Sequence, residues 1–417
     1  MSQTIQLKKG IDAVRKTLIF DQGEPVWSTD TKTLHIGDGI TSGGLSVFEG
    51  INNSFISIVP TSGSTSRENA SGLYLAIQDA KNKKPYNHEL GPFNRFSILL
   101  YPGVYSFSSH FIGYAVIGQS SYVDIVGVGH RRDIIISHTS TINIFSGNST
   151  FKNLSFSGGV NGGVNVANLD AGSEIKNIVI DNCDFSLNLA YSLRNSNNII
   201  TNATITDSSF RHGFLFQQLY PIINSLIKNC VVSGYDILHC PDAATTSPSG
   251  NFFLDCTFID EPGGNYNILY SNFAYCYDKS NLFKNCYFKG NDIMLNDLST
   301  YTPTEARFQN CRFDGNIGGG ALYGYGGSTF QGVMENCIIN SSDYPTRVPI
   351  VLSLESNVFP AFYNCTVIAG TGVSLCVTGD PDHASGLFIH SRFNKSIATG
   401  ATGLFGNKFN IINSKIK

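Results

Sequence analysis

Residues 283–288 read Phe-Lys-Asn-Cys-Tyr-Phe, and residues 308–313 read Phe-Gln-Asn-Cys-Arg-Phe. The same apolar-x-Asn-Cys-x-apolar unit recurs along the chain, with Asp or His for Asn and Ser or Leu for Cys in some copies. Eleven cysteine-equivalent positions between 154 and 414 give ten intervals that average 26 residues. A repeat of this length matches one coil of a parallel β-helix and is too short for a propeller blade of about 40 residues. The eleven positions are Leu154, Cys183, Ser208, Cys230, Cys256, Cys286, Cys311, Cys337, Cys365, Ser391 and Ser414.

The spacing inside the unit predicts a bend at the asparagine. Cysteine and the apolar residue two positions later share one face of a strand. The apolar residue before the asparagine lies three positions before the cysteine, so strict alternation would place it on the opposite face. We therefore expect a corner at the asparagine, which adopts left-handed backbone angles more readily than most residues. Ten intervals at ~4.8 Å give a column on the order of 48 Å long.

Composition and charge exclude several classes of protein. The 417 residues carry a net charge of −3, and 14% of them are charged while 41% are hydrophobic. This balance is the reverse of a disordered chain, and it lacks the basic footprint of a nucleic-acid-binding protein. No apolar run approaches the ~20 residues of a membrane span, and residues 1–30 show no secretory signal. We expect neither nucleic-acid binding nor membrane insertion.

The ten cysteines are predicted to be structural. Seven occupy the repeat position, where Ser and Leu replace Cys in other coils, which suits packing better than ligation. A spacing near 26 residues does not match the clustered spacing of zinc ligands. We expect a buried column of unpaired thiols, no metal site and no cofactor. Cys240, Cys276 and Cys376 lie off the repeat, and Cys240 is a poor partner for His239 because neighbouring residues of a strand point to opposite faces.

One helix is predicted before the repeats. Ser66 or Asn69 is a candidate cap at its start, and Asn82 and Pro85 would end it. Its apolar stripe comprises Leu73, Ala76, Ile77 and Ala80. A strand, a Pro-Gly turn and a second strand are predicted over residues 96–105.

A second aligned series follows each cysteine strand and supplies the candidate site. We expect Asp236, Asn267 and Asp292 to stack at one position on three successive coils. The two aspartates would then lie about 9.6 Å apart by strand spacing, close to the ~6.5–9.5 Å of an inverting pair of carboxylates. Asp236 and Asp292 are therefore the catalytic candidates if the protein cleaves its ligand. A solvated face or a turn is the alternative explanation for each of these acids.

The same flank carries residues suited to holding sugars. The series continues with Gly320, Leu322 and Tyr323, and then with residues 350–353. Tyr270 and Tyr323 could stack on sugar rings, and Asn267 and Glu355 could bind hydroxyl groups. We assign these four residues to carbohydrate binding.

The first 50 residues resemble a known family. The resemblance is carried by the stretches Ile-Gln-Leu-Lys-Lys-Gly at 5–10, Gly-Glu-Pro-Val at 23–26, Thr-Asp-Thr at 29–31 and Leu-His-Ile-Gly-Asp-Gly at 34–39. These look like the N-terminal module of phage tail fibres and phage hyaluronidases. The resemblance implies a homotrimeric tail appendage that attaches to other phage tail proteins by this end. It implies no particular enzyme, because different C-terminal parts follow this module.

The next part of the chain resembles pectate-lyase-like tailspikes. A helix followed by an apolar strand and Pro-Gly-Val-Tyr at 102–105 is similar to the start of these proteins. There the helix caps the open end of a right-handed parallel β-helix, whose first coil would otherwise expose its core and an unpaired strand edge.

The sequence therefore predicts an all-β protein. We expect a virion-attachment and trimerisation module over 1–50, a linker with the capping helix and first strands over 51–110, and a right-handed parallel β-helix for receptor binding over 111–417. The leading function is a phage tail fibre or tailspike that attaches the virion to host surface polysaccharide, made in the host cytoplasm. The alternatives are a depolymerase, either glycosidase or lyase, and a purely structural tail adaptor.

Overall fold

The computed structural model describes most of the repeat units and part of the connecting loops, and every structural statement below refers to these residues. They are 8–30, 33–46, 55–80, 82–85, 88–107, 121–138, 142–145, 147–158, 164–166, 174–187, 193–194, 199–211, 214–215, 222–234, 238–240, 249–260, 267–271, 280–296, 306–317, 332–343, 350–353, 361–370, 375–378, 386–394, 397–399 and 409–416.

The protein is a parallel β-helix, as predicted. A 14-stranded sheet, sheet 1, contains the strand that precedes the asparagine corner in each coil, and its strands pair in parallel in chain order. Its strands are Phe55–Ile58, Phe96–Leu100, Val123–Gly127, Thr150–Lys152, Val179–Asp181, Thr204–Thr206, Leu226–Lys228, Phe252–Leu254, Leu282–Lys284, Arg307–Gln309, Val333–Glu335, Ala361–Tyr363, Gly386–Ile389 and Phe409–Ile412.

The strands after the corner form sheet 2, which also pairs in parallel. They are Gly103–Phe107, Ile134–His138, Ser155–Gly158, Asp184–Leu187, Ser209–Arg211, Val231–Gly234, Thr257–Asp260, Tyr287–Asn296, Arg312–Ile317, Ile338–Asn340, Thr366–Ile368, Arg392–Phe393 and Lys415–Ile416.

Two further sets of strands complete the coils. Sheet 3 follows sheet 2 along the chain and comprises Ile142–Phe145, Val164–Val166, Leu193–Arg194, Phe214–Leu215, Leu238–Cys240, Asn267–Ser271, Ile350–Ser353, Leu375–Thr378 and Ile397–Thr399. The long strands Tyr287–Asn296 and Arg312–Ile317 run through both sheets and join them into one network of 22 strands. A short sheet 4 comprises Glu174–Lys176, Ile199–Thr201 and Ile222–Ile223.

Each coil turns at a residue with left-handed backbone angles, which confirms the predicted corner. All eleven corner residues have φ between 50° and 57°. Asparagine occupies eight of these positions, aspartate two and histidine one, which are the residue types that tolerate this region best after glycine. The corner residues are Asn153, Asn182, Asp207, Asn229, Asp255, Asn285, Asn310, Asn336, Asn364, His390 and Asn413.

The corner side chains form a hydrogen-bonded ladder. The Nδ2 of Asn310 donates to Oδ1 of Asn285 at 3.3 Å, and Asn336 donates to Asn310 in the same way at 3.3 Å. Asp207 has no amide group with which to continue the ladder. Arg131 supplies a donor there, because its Nη1 lies 3.1 Å from Oδ1 of Asn182 and 2.9 Å from the main-chain oxygen of Asp207.

A second set of corners lies five residues before the first set and was not predicted. Its members also have left-handed backbone angles, and in the first of them Nδ2 of Asn177 donates to Oδ1 of Asn148 at 2.8 Å. Two turns only five residues apart make sheet 1 a short, three-residue face in these coils. The second corners are Asn148, Asn177, Asn202, Asn224 and Gly250.

Two columns of buried side chains fill the interior. Phe253, Phe283 and Phe308 stack on sheet 1 with centroid distances of 4.4 and 4.9 Å. Phe288 and Phe313 stack on sheet 2 at 4.7 Å and meet the first column edge to face. These distances equal the spacing between strands, so the coil repeat itself places aromatic rings in contact.

The repeat cysteines are buried, as predicted, and seven are free thiols: Cys183, Cys230, Cys256, Cys286, Cys311, Cys337 and Cys365. Each thiol lies near two main-chain oxygens. For Cys337 these belong to Glu335, at 3.4 Å, and to Phe308 of the preceding coil, at 3.5 Å. Ser391 places its hydroxyl in the same way at 3.3 and 3.4 Å. Serine replaces cysteine because both are small donors to the same carbonyl groups.

The predicted helix occupies Ser66–Ala80, and the whole predicted stripe is buried. Its cap differs from the prediction. Thr65 caps the helix, because its Oγ1 accepts from the Glu68 amide while the Glu68 carboxylate accepts from the Thr65 amide, which is a capping box. Asn69 instead fixes the helix to the first coil by donating to the main-chain oxygen of Val104 at 3.0 Å.

The strands within 51–110 pair with the sheets of the β-helix. Phe55–Ile58 and Phe96–Leu100 are the first two strands of sheet 1, and Gly103–Phe107 is the first strand of sheet 2. The buried Tyr105 hydroxyl donates to the Tyr101 carbonyl at 2.7 Å. A 3₁₀ helix at Arg131–Asp133 precedes the next strand of sheet 2.

The N-terminal residues form a separate four-stranded sheet. Its strands are Lys8–Gly10, Pro25–Ser28, Thr33–Ile36 and Leu45–Ser46, and a short helix, Asp12–Arg15, follows the first strand. Arg15 is buried and binds the Asp12 carboxylate and the Gly43 carbonyl. Asp30 and Asp38 accept main-chain hydrogen bonds, from Asp12 and from Thr41, in turns of this unit.

The corner ladder gives a stability prediction at Asn310. Asn310→Ala loses two ladder hydrogen bonds and forces alanine into the left-handed region, so we expect a loss of about 2–3 kcal/mol. Asn310→Gly loses the same hydrogen bonds without the backbone strain and should cost less. Urea unfolding followed by circular dichroism compares the two variants. Equal losses for alanine and glycine would contradict the role assigned to the corner.

The thiol column gives a pH prediction. Burial raises the pKa of Cys183 to about 12 and also raises that of Cys311. An unfolded thiol has a pKa near ~8.5, so the folded state holds these protons more tightly. Their contribution to stability is therefore complete below about pH 8.5 and is lost as the pH rises toward about 12.

Two measurements check this prediction. Ellman's reagent at pH 8 should leave the seven column thiols unmodified in the folded protein, whereas unfolding without reductant should expose nearly all ten thiols. The urea midpoint should fall as the pH is raised above ~8.5. Several disulfides, or ready labelling of the folded column, would refute the assignment.

Candidate functional site

The structure places three of the six predicted site residues. Asp236, Tyr323 and Glu355 lie outside the described residues. The backbone of the other three is described, in sheet 3 and its continuation, and Asn267 pairs with Asp292 on the next coil. Tyr270 pairs with Leu295 on one side and with His239 on the other. Asn267 and Asp292 therefore share one row, and the functional roles assigned to them remain predictions.

The sequence alignment predicted for the coil that follows Asp292 was wrong. Asp292 pairs with Asn316, and Met294 pairs with Ile317, where the sequence comparison had placed Gly320 and Leu322. The reason is that Arg312–Ile317 continues directly from sheet 2 into the sheet 3 region, so the chain reaches the row earlier than in other coils.

The outer surface of sheet 2 carries two rows of side chains. Residues directly after each cysteine-equivalent position point outward, and so do those two positions later, because the residue between them is buried. Most members of these rows are polar or charged, and they follow one another at the strand spacing of ~4.8 Å. The first row comprises Ser155, Asp184, Ser209, Val231, Thr257, Tyr287, Arg312, Ile338, Thr366, Arg392 and Lys415.

A cluster centred on Asp314 lies where the two rows are adjacent. The Tyr287 hydroxyl donates to Oδ2 of Asp314 at 2.7 Å. The Nε of Arg312 donates to both carboxylate oxygens, at 3.0 and 3.1 Å, and Nδ2 of Asn340 donates to Oδ1 at 3.3 Å. Asp314 is only 8% exposed, whereas the Arg312 side chain is 53% exposed. The buried carboxylate thus fixes side chains that face solvent.

The carboxylate of the cluster stabilises the charged form of Arg312. The Asp314 carboxylate holds the pKa of Arg312 above its ordinary value, chiefly through their hydrogen bond. Lys289 is exposed and pairs in register with Asp314. Asp343 also acts on Arg312 electrostatically, so Lys289 and Arg312 lie near two carboxylates, of which Asp314 is the buried one. Asp314 accepts hydrogen bonds from three side chains and thereby orients Tyr287 and Arg312. Because its oxygens are engaged in these hydrogen bonds, Asp314 is poorly placed to exchange a proton with a ligand.

The Asp314 cluster and Asp292 lie on the same pair of long strands. Tyr287–Asn296 carries Tyr287, Lys289 and Asp292 from sheet 2 into the sheet 3 region without a loop. The change of direction occurs beside Gly290, which pairs with Gly315, a residue with φ of 152°. The backbone of the predicted row therefore continues directly from the strands that carry the cluster, and we call the two together the polar flank.

A second carboxylate cluster lies on sheet 1 near the start of the column. Asp124 is 8% exposed, forms an ion pair with Arg95 and accepts from the main-chain amide of Thr150 at 2.7 Å. The hydrogen bond to Asp124 raises the pKa of Arg95. The cluster ties three successive coils together, so we assign it a structural role.

The described part of the chain has neither a metal-type cluster nor a membrane-spanning helix. No group of three or more His, Cys, Asp or Glu side chains there is arranged to hold a metal ion. None of the described helices is long and apolar enough to cross a membrane.

The sequence analysis did not identify Asp314, although the alternation of inward and outward residues after each repeat cysteine pointed to this surface. The predicted alternation places the residue after each cysteine on the outside, and therefore Tyr287 and Arg312 on neighbouring coils. The search for acids instead considered the second series, one strand further along the coil. Contacts between Tyr287, Arg312 and Asp314 depend on the register of two coils, which follows from the repeat itself.

No family model matches the chain, and no curated protein matches it. Solved structures with similar folds include the A-module of mannuronan C-5 epimerase AlgE6 from Azotobacter vinelandii, at 13% identity and a TM-score of 0.43 over 85% of this chain and 97% of that one. The tailspike protein of Acinetobacter phage vB_ApiP_P1 is 12% identical, with a TM-score of 0.41 over 99% and 70%. ORF18 of Geobacillus virus E2 is 13% identical, with a TM-score of 0.33 over 98% and 72%.

Proposed function

We propose that this chain is the receptor-binding part of a bacteriophage tail fibre or tailspike, located on the virion, and that it attaches the virion to a host surface polysaccharide along the polar flank. The observation that carries the proposal is the Asp314 cluster. It holds an aromatic side chain and a guanidinium group in fixed positions on a straight row of polar residues.

The geometry of the polar flank suits an extended glycan. Successive coils repeat equivalent positions in a straight line, so a linear ligand meets the same kind of surface at each step. The Tyr287 ring offers apolar area to the C–H face of a sugar, while Arg312 and Lys289 donate to hydroxyl or carboxylate groups. Binding groups that are already held by Asp314 lose little conformational freedom when the ligand arrives.

A depolymerase is the second candidate function. The observation that favours it is the register of Asn267 with Asp292, which supports the row in which Asp236 and Asp292 were predicted as acid and base. The occupied oxygens of Asp314 favour binding over catalysis at the cluster itself. The catalytic hypothesis therefore depends on Asp292 and Asp236.

The N-terminal residues are proposed to attach the appendage to other tail proteins and to help form a homotrimer. Besides the sequence resemblance, the proposal is supported by a group of exposed apolar side chains around the small N-terminal sheet. Few buried apolar residues stabilise this unit, among them Phe20 and Val26, so partner contacts would add to its stability. The exposed residues are Ile11, Val14, Leu18, Ile19 and Ile40, at 48–81% exposure.

Replacing the cations of the polar flank should weaken glycan binding. We expect the double variant Lys289→Ala/Arg312→Ala to bind at least ~10-fold more weakly, because each charged donor contributes about 1.5–3 kcal/mol. The measurement is retention on an array of purified bacterial capsular polysaccharides and lipopolysaccharides.

The matched control is Lys228→Ala/Lys284→Ala. These two lysines are also exposed, but they lie on sheet 1. Unchanged binding of the polar-flank variant, or an equal loss in the control, would exclude the polar flank as the receptor site. Sizing of the bound polysaccharide after incubation tests for cleavage. If the polymer is shortened, Asp292→Asn should slow this by ~10² or more while binding persists.

Removal of residues 1–50 should separate attachment from receptor binding. The truncated chain should fail to enter virions but keep its β-sheet circular dichroism and its retention on the glycan array, because no described strand of the N-terminal sheet pairs with the β-helix. Incorporation is measured by complementing a phage that lacks the gene and probing purified particles with an antibody. Normal incorporation of the truncated chain would disprove the attachment role.

A further inference from the structure

Sheet 1 carries a row of side chains that differs in character from the polar flank. The first outward position of each sheet 1 strand is apolar in seven of nine successive coils, and the strand register aligns these positions in one line. We call this line the apolar row. It comprises Val179, Thr204, Leu226, Phe252, Leu282, Arg307, Val333, Ala361 and Leu387.

The apolar row faces away from the core. In each strand the central residue is buried, such as Phe253, and its neighbours point to the other face. Phe252 is 47% exposed, and Leu226, Leu282 and Val333 are partly exposed. Nine levels at ~4.8 Å make a strip roughly 40 Å long and, at about 10 Å wide, on the order of 400 Å². Aligned apolar side chains over this length, interrupted by Thr204 and Arg307, are the kind of exposed surface that often serves as an interaction site.

We propose that the apolar row is the line along which copies of this chain pack side by side, around an axis parallel to the column. The inference deepens the assembly part of the proposed function, and it does not depend on what the polar flank binds. A closed ring of three makes three such contacts at once, so each can be smaller than the ~800 Å² per partner of an isolated pair.

The partner that packs on the apolar row is a second copy of this chain. Rotation about an axis parallel to the column leaves every residue at the same position along that axis. Each level of the row then meets the same level of the neighbouring copy, so Phe252 meets Phe252 and Leu282 meets Leu282. Apolar side chains tolerate contact with themselves. The straightness and length of the row match another copy of the same column, which presents an identical line.

The charges disfavour the other outward rows whose side chains are described. Rotation would bring like charges together at Asp184, Arg312 and Arg392 in the first row of sheet 2, which is unfavourable when desolvated. It would do the same at Lys228, Lys284 and Glu335 in the other outward row of sheet 1. The apolar row contains one charge, Arg307, whose Nη2 lies 3.9 Å from the Glu335 carboxylate of its own chain. Packing along the apolar row leaves the polar flank facing outward.

The first test measures the mass of the full chain by size-exclusion chromatography with light scattering. The wild type should have about three times the chain mass of 45.3 kDa. Phe252→Glu/Leu282→Glu should shift it to the monomer. The control is Val231→Glu/Ile338→Glu on sheet 2, because Val231 is also 47% exposed and Ile338 is 39% exposed. This control should keep the wild-type mass.

Cross-linking provides a second test that does not depend on a disruptive variant. Phe252→Cys should form a disulfide between copies on mild oxidation, because residues at one level of the axis approach within the ~7 Å that a disulfide spans. The control Val231→Cys should not. A cross-linked pair appears as a band of twice the chain mass on a non-reducing gel.

The outcomes separate this inference from the proposed function. A monomeric wild type, an unchanged mass for Phe252→Glu/Leu282→Glu, or cross-linking by Val231→Cys but not by Phe252→Cys would each overturn the apolar row as the interface. Glycan retention by the same preparations would still support the polar flank. Loss of retention with an intact Phe252→Cys cross-link would overturn the receptor site and leave the interface standing.

Discussion

The left-handed corner is the constraint on which the rest of the structure depends. Eleven coils turn at an equivalent residue with φ near 50–57°, and in ten of them the next residue is a cysteine or a serine. In Cys337 this residue places a small donor beside two main-chain oxygens. Asparagine followed by cysteine or serine satisfies both needs, and this is why the pair recurs while other positions vary.

Fixing the corner fixes the phase of every coil. Inward positions then repeat, and phenylalanine rings stack at 4.4–4.9 Å because that is the strand spacing. Outward positions are under no such constraint, so each outer row can take its own chemistry. Sheet 2 carries the Asp314 cluster and mostly polar residues, whereas sheet 1 carries the apolar row. Under the functions proposed above, one scaffold separates a surface for a hydrated polymer from a surface for another protein chain.

The sequence predicted the parts of the fold that repeat or that follow a helical period. The corner at Asn285 and the stripe containing Leu73 and Ile77 were confirmed, since each depends on spacing within one element. The second corner, at Asn177, was missed although asparagine recurs five residues before the first corner. The alignment at Gly320 failed because the stretch between sheet 2 and sheet 3 varies in length, and nothing in the local sequence reveals that Arg312–Ile317 needs no loop. Asp314 was missed because its burial depends on neighbours from adjacent coils.

We propose that a bacterial polysaccharide lies on the polar flank. A crystal structure of the chain with an oligosaccharide prepared from a polysaccharide that the protein retains would show where the sugar binds. We expect sugar density over Tyr287 and Arg312 that extends along the column over the outward residues of sheet 2. Sugar density over Phe252 and Leu282 on sheet 1, with the polar flank empty, would contradict it.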